Sequence, residues 1–130
     1  MERISKENAE RILQSIVDKL GCMQTVGDLK NTPFFDAIKE GRVSLENDSI
    51  KYTLRSPVTF GGQEVKTVTV SDPLFTVIDG AGVNVLDMVA GRDMAKKVSV
   101  YCNIPVEYVQ AMRARDVTFI ATFIVPLFMI

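Results

Sequence analysis

The final segment of the chain, Asp116 to Ile130, constrains the fold more than any other feature. Six of its apolar residues fall at the spacing of one helical stripe, namely Val117, Ile120, Ala121, Ile124, Val125 and Phe128. Phe119, Phe123 and Leu127 lie outside that stripe and are apolar as well. A helix that is apolar around most of its circumference is buried on several sides, in a core, a membrane or a subunit contact.

A membrane span is the weakest of these three interpretations. The apolar run reaches only about fourteen residues, against the roughly twenty that a spanning helix needs. Pro126 also interrupts it, because proline lacks the backbone N–H that a helix interior uses. We therefore predict that the segment is part of the core and also serves self-association.

Length and charge limit the class of protein. A chain of 130 residues is large enough for one hydrophobic core, so we predict a single domain over residues 1–130. The net charge of -1 gives no strong field toward nucleic acid or an anionic membrane, which makes a protein the expected partner. The first residues are charged instead of apolar, and this pattern predicts a cytosolic protein.

The residue types argue against an enzyme. The chain has no histidine, the commonest general base and zinc ligand, and it lacks a nucleophile elbow and a phosphate-binding loop. Cys22 and Cys102 are isolated, so we predict two buried reduced thiols with no metal or disulfide. No cofactor is expected. A small carboxylate enzyme using Asp79, Asp87 and Asp93 is the alternative, although solvated surface explains these three residues more simply.

A nucleic-acid-binding role would require a basic patch with aromatic support. The candidate residues are Lys96, Lys97, Arg113 and Arg115, with Tyr101 or Tyr108. The acidic neighbours Asp93, Glu107 and Asp116 weaken such a patch. We therefore expect no nucleic-acid partner.

Hydrophobic periodicity predicts helices in residues 1–41. Ser5 can cap a helix whose apolar positions follow the 3.6-residue period up to Leu20, and Gly21 ends it. A second helix has Thr32 as its cap and Pro33 at its first position, with Gly41 after its end.

The period changes in residues 42–70. Apolar and polar residues alternate around Val43 and again from Ile50 to Leu54, which predicts strands with one solvated face. Gly61 and Gly62 supply the positive φ angles of a tight hairpin turn, and Pro57 should mark a strand edge or bend.

Residues 71–130 are predicted to be helical. Asp72 and Pro73 open a short helix through Ile78; further helices span residues 83–90, 94–102 and 105–112, and Asp116 caps the terminal helix. The predicted fold is α+β and mostly helical, with a small antiparallel sheet between the N-terminal helices and a helical C-terminal half.

Two stretches carry a family resemblance. The first runs from Tyr52 to Pro57, continues from Gly61 to Val70 and ends in Asp72 and Pro73. The second comprises Asn103, Ile104, Pro105, Val109, Met112, Arg115, Asp116 and the segment from Phe119 to Phe123. The strand, glycine turn, threonine-rich strand and proline-led helix, followed by an Ile-Pro helix, an acidic cap and an apolar phenylalanine helix, resemble the small tail assembly chaperones of long-tailed bacteriophages.

This resemblance implies a non-enzymatic role in the host cytoplasm. Such chaperones bind the tape-measure protein, keep its apolar helices soluble and recruit tail-tube subunits (the major tail protein), and they are absent from the mature virion. The residues expected to contact a partner or a second copy are Phe119, Ile120, Phe123, Ile124, Leu127 and Phe128, with the three phenylalanines as anchors. The alternative is a structural tail-tube or connector subunit that assembles through the edge of its hairpin.

Overall fold

The computed structural model describes residues 3–22, 24–74 and 94–129. Helices flank a three-stranded antiparallel sheet, so the predicted α+β class is confirmed. The N-terminal helices are α1 (Lys6–Leu20), α2 (Val26–Leu29) and α3 (Pro33–Lys39); the strands are β1 (Val43–Glu46), β2 (Ser49–Phe60) and β3 (Gln63–Val70); and α4 (Met94–Cys102), α5 (Val106–Ala111) and the terminal helix, residues 114–129, follow.

Helix α1 forms as its sequence predicts. The Ser5 hydroxyl accepts a hydrogen bond from the backbone N–H of Asn8 at 3.2 Å, and Gly21 ends the helix with a φ of 65°. Its apolar stripe is buried against the rest of the protein. The short helix α2 was not predicted, because four residues are too few to establish a period, although Thr25 and Asp28 form a reciprocal capping box around it.

Helix α3 begins at Pro33, and Thr32 occupies the predicted cap position. The cap position is therefore as predicted, although the Thr32 side chain makes no capping hydrogen bond. Its hydroxyl instead donates to the backbone oxygen of Leu29 at 2.7 Å, which ties α2 to α3.

The sheet has the strand order β1-β2-β3 and one solvated face. The inner face is buried and consists of Val43, Ile50, Tyr52, Leu54, Val68 and Val70. On the outer face, Lys51 forms an ion pair with Glu46 at 3.6 Å, and Thr67 and Thr69 are exposed. The alternation predicted from the sequence is confirmed.

The β2–β3 hairpin contains a large irregularity. Gly61 and Gly62 make the turn with φ angles of 60° and 81°, as predicted. Val58 pairs with Val65, but the next regular pair is Thr53 with Thr67. Residues 54–57 of β2 therefore lie opposite a single residue of β3, and Pro57 falls inside this bulge.

The later helices are partly as predicted. Helices α4 and α5 occupy their expected segments. Pro73 and Leu74 are not helical, so the helix predicted to open there does not begin at that point. The remainder of that helix and the one predicted for residues 83–90 lie outside the described residues.

The terminal helix changes its hydrogen-bonding pattern along its length. Residues Ala114–Phe119 are α-helical, Ile120–Ile124 are π-helical and Pro126–Met129 return to the α form. In the π-helical part, the N–H of Val125 donates to the backbone oxygen of Ile120 at 2.9 Å. Of the helices that the structure describes, none is long and apolar enough to cross a membrane.

Candidate functional site

The terminal helix packs into the interior of the protein. It contacts β2, α3 and α4. The side chains of Ile120, Ile124 and Val125 are 0% exposed and that of Leu127 is 2% exposed. Leu127 is buried although it lies outside the predicted stripe.

The six residues predicted to contact a partner divide into two groups. Ile120, Ile124 and Leu127 belong to the protein's own core. Phe119, Phe123 and Phe128 are half-buried and pack against the edge of that core. We call these three phenylalanines the aromatic flank. A partner can reach the aromatic flank without moving the helix, whereas contact with the three core residues would require the helix to leave its place.

Aromatic rings connect the flank to the sheet. The ring of Phe119 stacks on the buried ring of Tyr52, with centroids 5.0 Å apart. The ring of Phe123 is tilted against that of Phe119 at 5.3 Å. Pairs with these separations stabilise by about 0.5–1.5 kcal/mol beyond simple burial. The orientation of the flank therefore depends on β2.

A buried carboxylate joins the same helix to β2. The side chain of Asp116 is 0% exposed. Its Oδ1 accepts hydrogen bonds from the Tyr52 hydroxyl and the Arg55 backbone N–H, both at 2.9 Å, and its Oδ2 accepts one from the Ser56 N–H at 3.2 Å. We call these four residues the Asp116 network.

The prediction that Asp116 caps the terminal helix is wrong. The cap position belongs to Arg113, which makes no side-chain capping bond, and Asp116 is the third residue of the helix. A carboxylate in a first helical turn is favourable beside the positive end of the helix dipole. In this protein the Asp116 carboxylate accepts hydrogen bonds from strand β2 instead of from its own helix.

The bulge in β2 explains why Asp116 has two backbone donors. The residues of the bulge have no regular partner on β3, so the N–H groups of Arg55 and Ser56 are not used in the sheet. Buried backbone N–H groups without an acceptor are rare because they are costly. The carboxylate satisfies both, and the bulge and the helix depend on each other.

The Tyr52 hydroxyl is a donor over the whole physiological pH range. Burial raises the pKa of this hydroxyl, and its hydrogen bond to Asp116 raises the pKa further. The group therefore stays protonated, as a donor to a carboxylate must.

Two arginines hold the outer side of the bulge. Arg42 donates through Nη1 to the backbone oxygens of Thr53 and Leu54, at 3.4 and 3.3 Å. Arg55 Nη2 lies 3.4 Å from an oxygen of Glu40, and Arg42 Nε lies 3.9 Å from the other oxygen. These contacts connect the bulge to the end of α3, although partly exposed ion pairs of this kind contribute little to stability.

The other end of the terminal helix rests on Cys22. The Cys22 thiol donates a weak hydrogen bond to the backbone oxygen of Leu127 at 3.7 Å. Both cysteines are free; Cys102 is buried, as predicted, whereas Cys22 is only half-buried, so the predicted burial is wrong for Cys22. Burial raises the pKa of Cys22, and it raises the pKa of Cys102 to about 12.

The thiol pKa shifts predict slow and unequal chemical labelling. The thiolate is the reactive form, so in the native protein at about pH 8 we expect Cys102 to react far more slowly than Cys22, and both to react more slowly than a free thiol. Raising the pH should accelerate Cys22 first. Timed alkylation read by mass spectrometry checks this, with protein unfolded in guanidinium as the control. Equal native rates for the two thiols would contradict the burial of Cys102.

Several residues considered for other kinds of site are buried or lie outside the described residues. Lys97 and Tyr101, which a nucleic-acid patch would use, are only 6% and 4% exposed. The three aspartates considered for catalysis lie outside the described residues. Residues 3–22, 24–74 and 94–129 contain no group of three potential metal ligands from His, Cys, Asp and Glu.

One apolar pocket lies between the hairpin and α5. It is lined by Val58, Val65, Val68, Ile104, Tyr108 and Met112, and its volume is about 10 Å³. A cavity of this size is at the lower limit for a single water molecule. Beside this pocket, the centroids of the Phe60 and Tyr108 rings are 4.1 Å apart, and this contact closes the hairpin tip onto α5.

The Asp116 network could not be found from the sequence. Tyr52 and Asp116 are 64 positions apart, and their residue types at that distance form no motif. The one local signal is a proline within an otherwise alternating strand, which indicates a bulge and hence unpaired donors.

No protein-family model matches the chain, and neither a curated protein nor a solved structure is significantly similar to it.

Proposed function

We propose that the protein is a tail assembly chaperone of a long-tailed bacteriophage. In this role it binds the tape-measure protein in the host cytoplasm, keeps it soluble, and recruits tail-tube subunits without entering the mature virion. The observation that carries the proposal is the terminal helix, which combines a core face with the half-buried aromatic flank.

The arrangement of the resembling segments supports the proposal. The strand, glycine turn and second strand form the β2–β3 hairpin. The Ile104-Pro105 pair directly precedes α5, and the apolar phenylalanine segment is the terminal helix. The Asp116 network and the Tyr52–Phe119 stack join the two resembling stretches in space.

The aromatic flank suits an apolar helix as its ligand. Aromatic side chains dominate the energy of interfaces because they bury a large area with few rotatable bonds. Phe119 and Phe123 lie one helical turn apart, so together they offer a continuous contact to a helix that lies along them. A tape-measure helix with an apolar stripe would have the matching surface.

Co-expression with a candidate tape-measure protein tests the proposal. We expect the tape-measure protein to become soluble and to elute with this chain in a complex whose mass, measured by light scattering, exceeds that of either protein alone. Phe123→Ser should weaken the complex, because it removes the central ring of the flank. Thr122→Ser, at the exposed neighbouring position, is the matched control and should leave the complex intact.

The proposal fails if this chain remains alone and the tape-measure protein remains insoluble. A complex that forms equally well with Phe123→Ser would keep the chaperone role but remove the aromatic flank as its binding surface. These two outcomes are distinct. The first concerns whether a complex forms, and the second concerns which surface of this chain forms it.

One observation favours a structural tail subunit as the second candidate. Within the described residues β3 pairs with β2 alone, so its other edge could add a strand from a neighbouring copy. The exposed charges of Glu64 and Lys66 on that strand are the kind of residues that discourage such pairing. Mass spectrometry of purified virions separates the two roles: a tail subunit is abundant in the particle and a chaperone is absent from it.

A further inference from the structure

The β2–β3 hairpin has two possible registers. At the turn, Phe60 pairs with Gln63 and Val58 with Val65. Continued without interruption, this pairing would place Ser56 opposite Thr67. In the structure Thr53 lies opposite Thr67 instead, so the base of the hairpin is shifted by three residues from the register that the turn sets.

The shift decides which face of β3 is buried. Residues directly opposite each other on two strands share a face, and an odd shift exchanges the two faces. In the observed register Val68 and Val70 are buried and Thr67 and Thr69 are exposed. In the uninterrupted register the threonines would face the core and the valines would face solvent.

The observed register leaves the backbone N–H groups of Arg55 and Ser56 without partners on β3. Asp116 accepts hydrogen bonds from both. The burial of the two valines favours this register, and the carboxylate removes its main cost, the two unpaired donors. The uninterrupted register would use the Ser56 N–H within the β2–β3 pairing. The Thr53 N–H donates to Arg42 on the other side of β2, so the Arg55 N–H would point to that side as well and only this donor would remain outside the pairing.

We propose that Asp116 selects the strand register of the β2–β3 hairpin. Docking of the terminal helix brings in the carboxylate that makes the bulged register the single native one. Without it, the uninterrupted register becomes a second folded state of the same hairpin, with the outward face of β3 changed from threonine to valine.

Nuclear magnetic resonance of Asp116→Ala and Asp116→Asn tests the proposal. In the wild type we expect Thr67 to show interstrand contacts with Thr53 and none with Ser56. In Asp116→Ala we expect a second set of signals with contacts between Ser56 and Thr67, at about a tenth of the total intensity or more. Asp116→Asn keeps one oxygen acceptor and should show a smaller second set. Thr118→Ala, at an exposed site of the same helix, should match the wild type.

Two results would overturn the proposal. The first is a single set of native contacts in whichever aspartate variant remains folded, because the register would then be set without the carboxylate. The second is unfolding of both variants, because the proposal requires the uninterrupted register to be a folded state.

Discussion

Asp116→Ala is expected to lower the free energy of unfolding by about 3 to 5 kcal/mol, a large part of the stability of a small protein. The substitution leaves the Tyr52 hydroxyl and the N–H groups of Arg55 and Ser56 without an acceptor. Each unsatisfied donor costs about 1–3 kcal/mol when buried, and water can relieve the two that are only partly buried. Urea denaturation followed by circular dichroism measures the change.

A second variant separates the loss of the acceptor from the loss of one bond. Tyr52→Phe removes one donor, keeps the stack on Phe119 and leaves Asp116 with two partners, so it should cost only about 1 kcal/mol. Thr118→Ala, on an exposed face of the same helix, should change stability by less than about 0.5 kcal/mol. If Asp116→Ala costs no more than Tyr52→Phe, the two backbone donors are satisfied by water and the network is not a main source of stability.

Much of the fold could be predicted because its signals are local. The 3.6-residue period of α1 with its serine cap, the alternation in β2 and the Gly61-Gly62 turn are each contained within a few residues. Such patterns specify an element irrespective of the rest of the chain. The buried face of the terminal helix was visible for the same reason, since Ile120, Ile124 and Val125 follow one stripe.

The candidate site depends on tertiary structure, and that is why it could be predicted only in part. An aspartate before an apolar run indicates a helix cap, and nothing near Asp116 in sequence shows that its partners lie on β2. The three-residue shift of the hairpin likewise follows from the helix that packs against it. Where helix and strand depend on each other, neither segment alone contains the signal.

The division of the terminal helix into core and flank also escaped prediction. Apolar type alone does not distinguish Leu127, which is buried, from Phe123, which is half-buried. The π-helical turn over Ile120–Ile124 was not predicted either, and its one local correlate is Pro126, because proline cannot donate to the preceding turn.

Ile124→Ala and Phe123→Ser are expected to have different main effects, on stability and on association respectively, although the residues are neighbours. Ile124 is 0% exposed, so its truncation leaves a cavity and should lower the free energy of unfolding by about 2–5 kcal/mol. Phe123 is half-buried, so Phe123→Ser should cost only about 1–2 kcal/mol and leave a folded chain that associates less. Denaturation measures the first effect and light scattering measures the second.

Together, Ile124→Ala and Phe123→Ser test whether the aromatic flank is part of the core or a surface for association. If Phe123→Ser unfolds the protein, the flank is core and the terminal helix offers no free surface. If both variants stay folded and the mass in solution does not change, association, where it occurs, uses another part of the molecule. Weaker association in Phe123→Ser, together with loss of stability in Ile124→Ala, would mean that one helix serves the core with one face and a partner with the other.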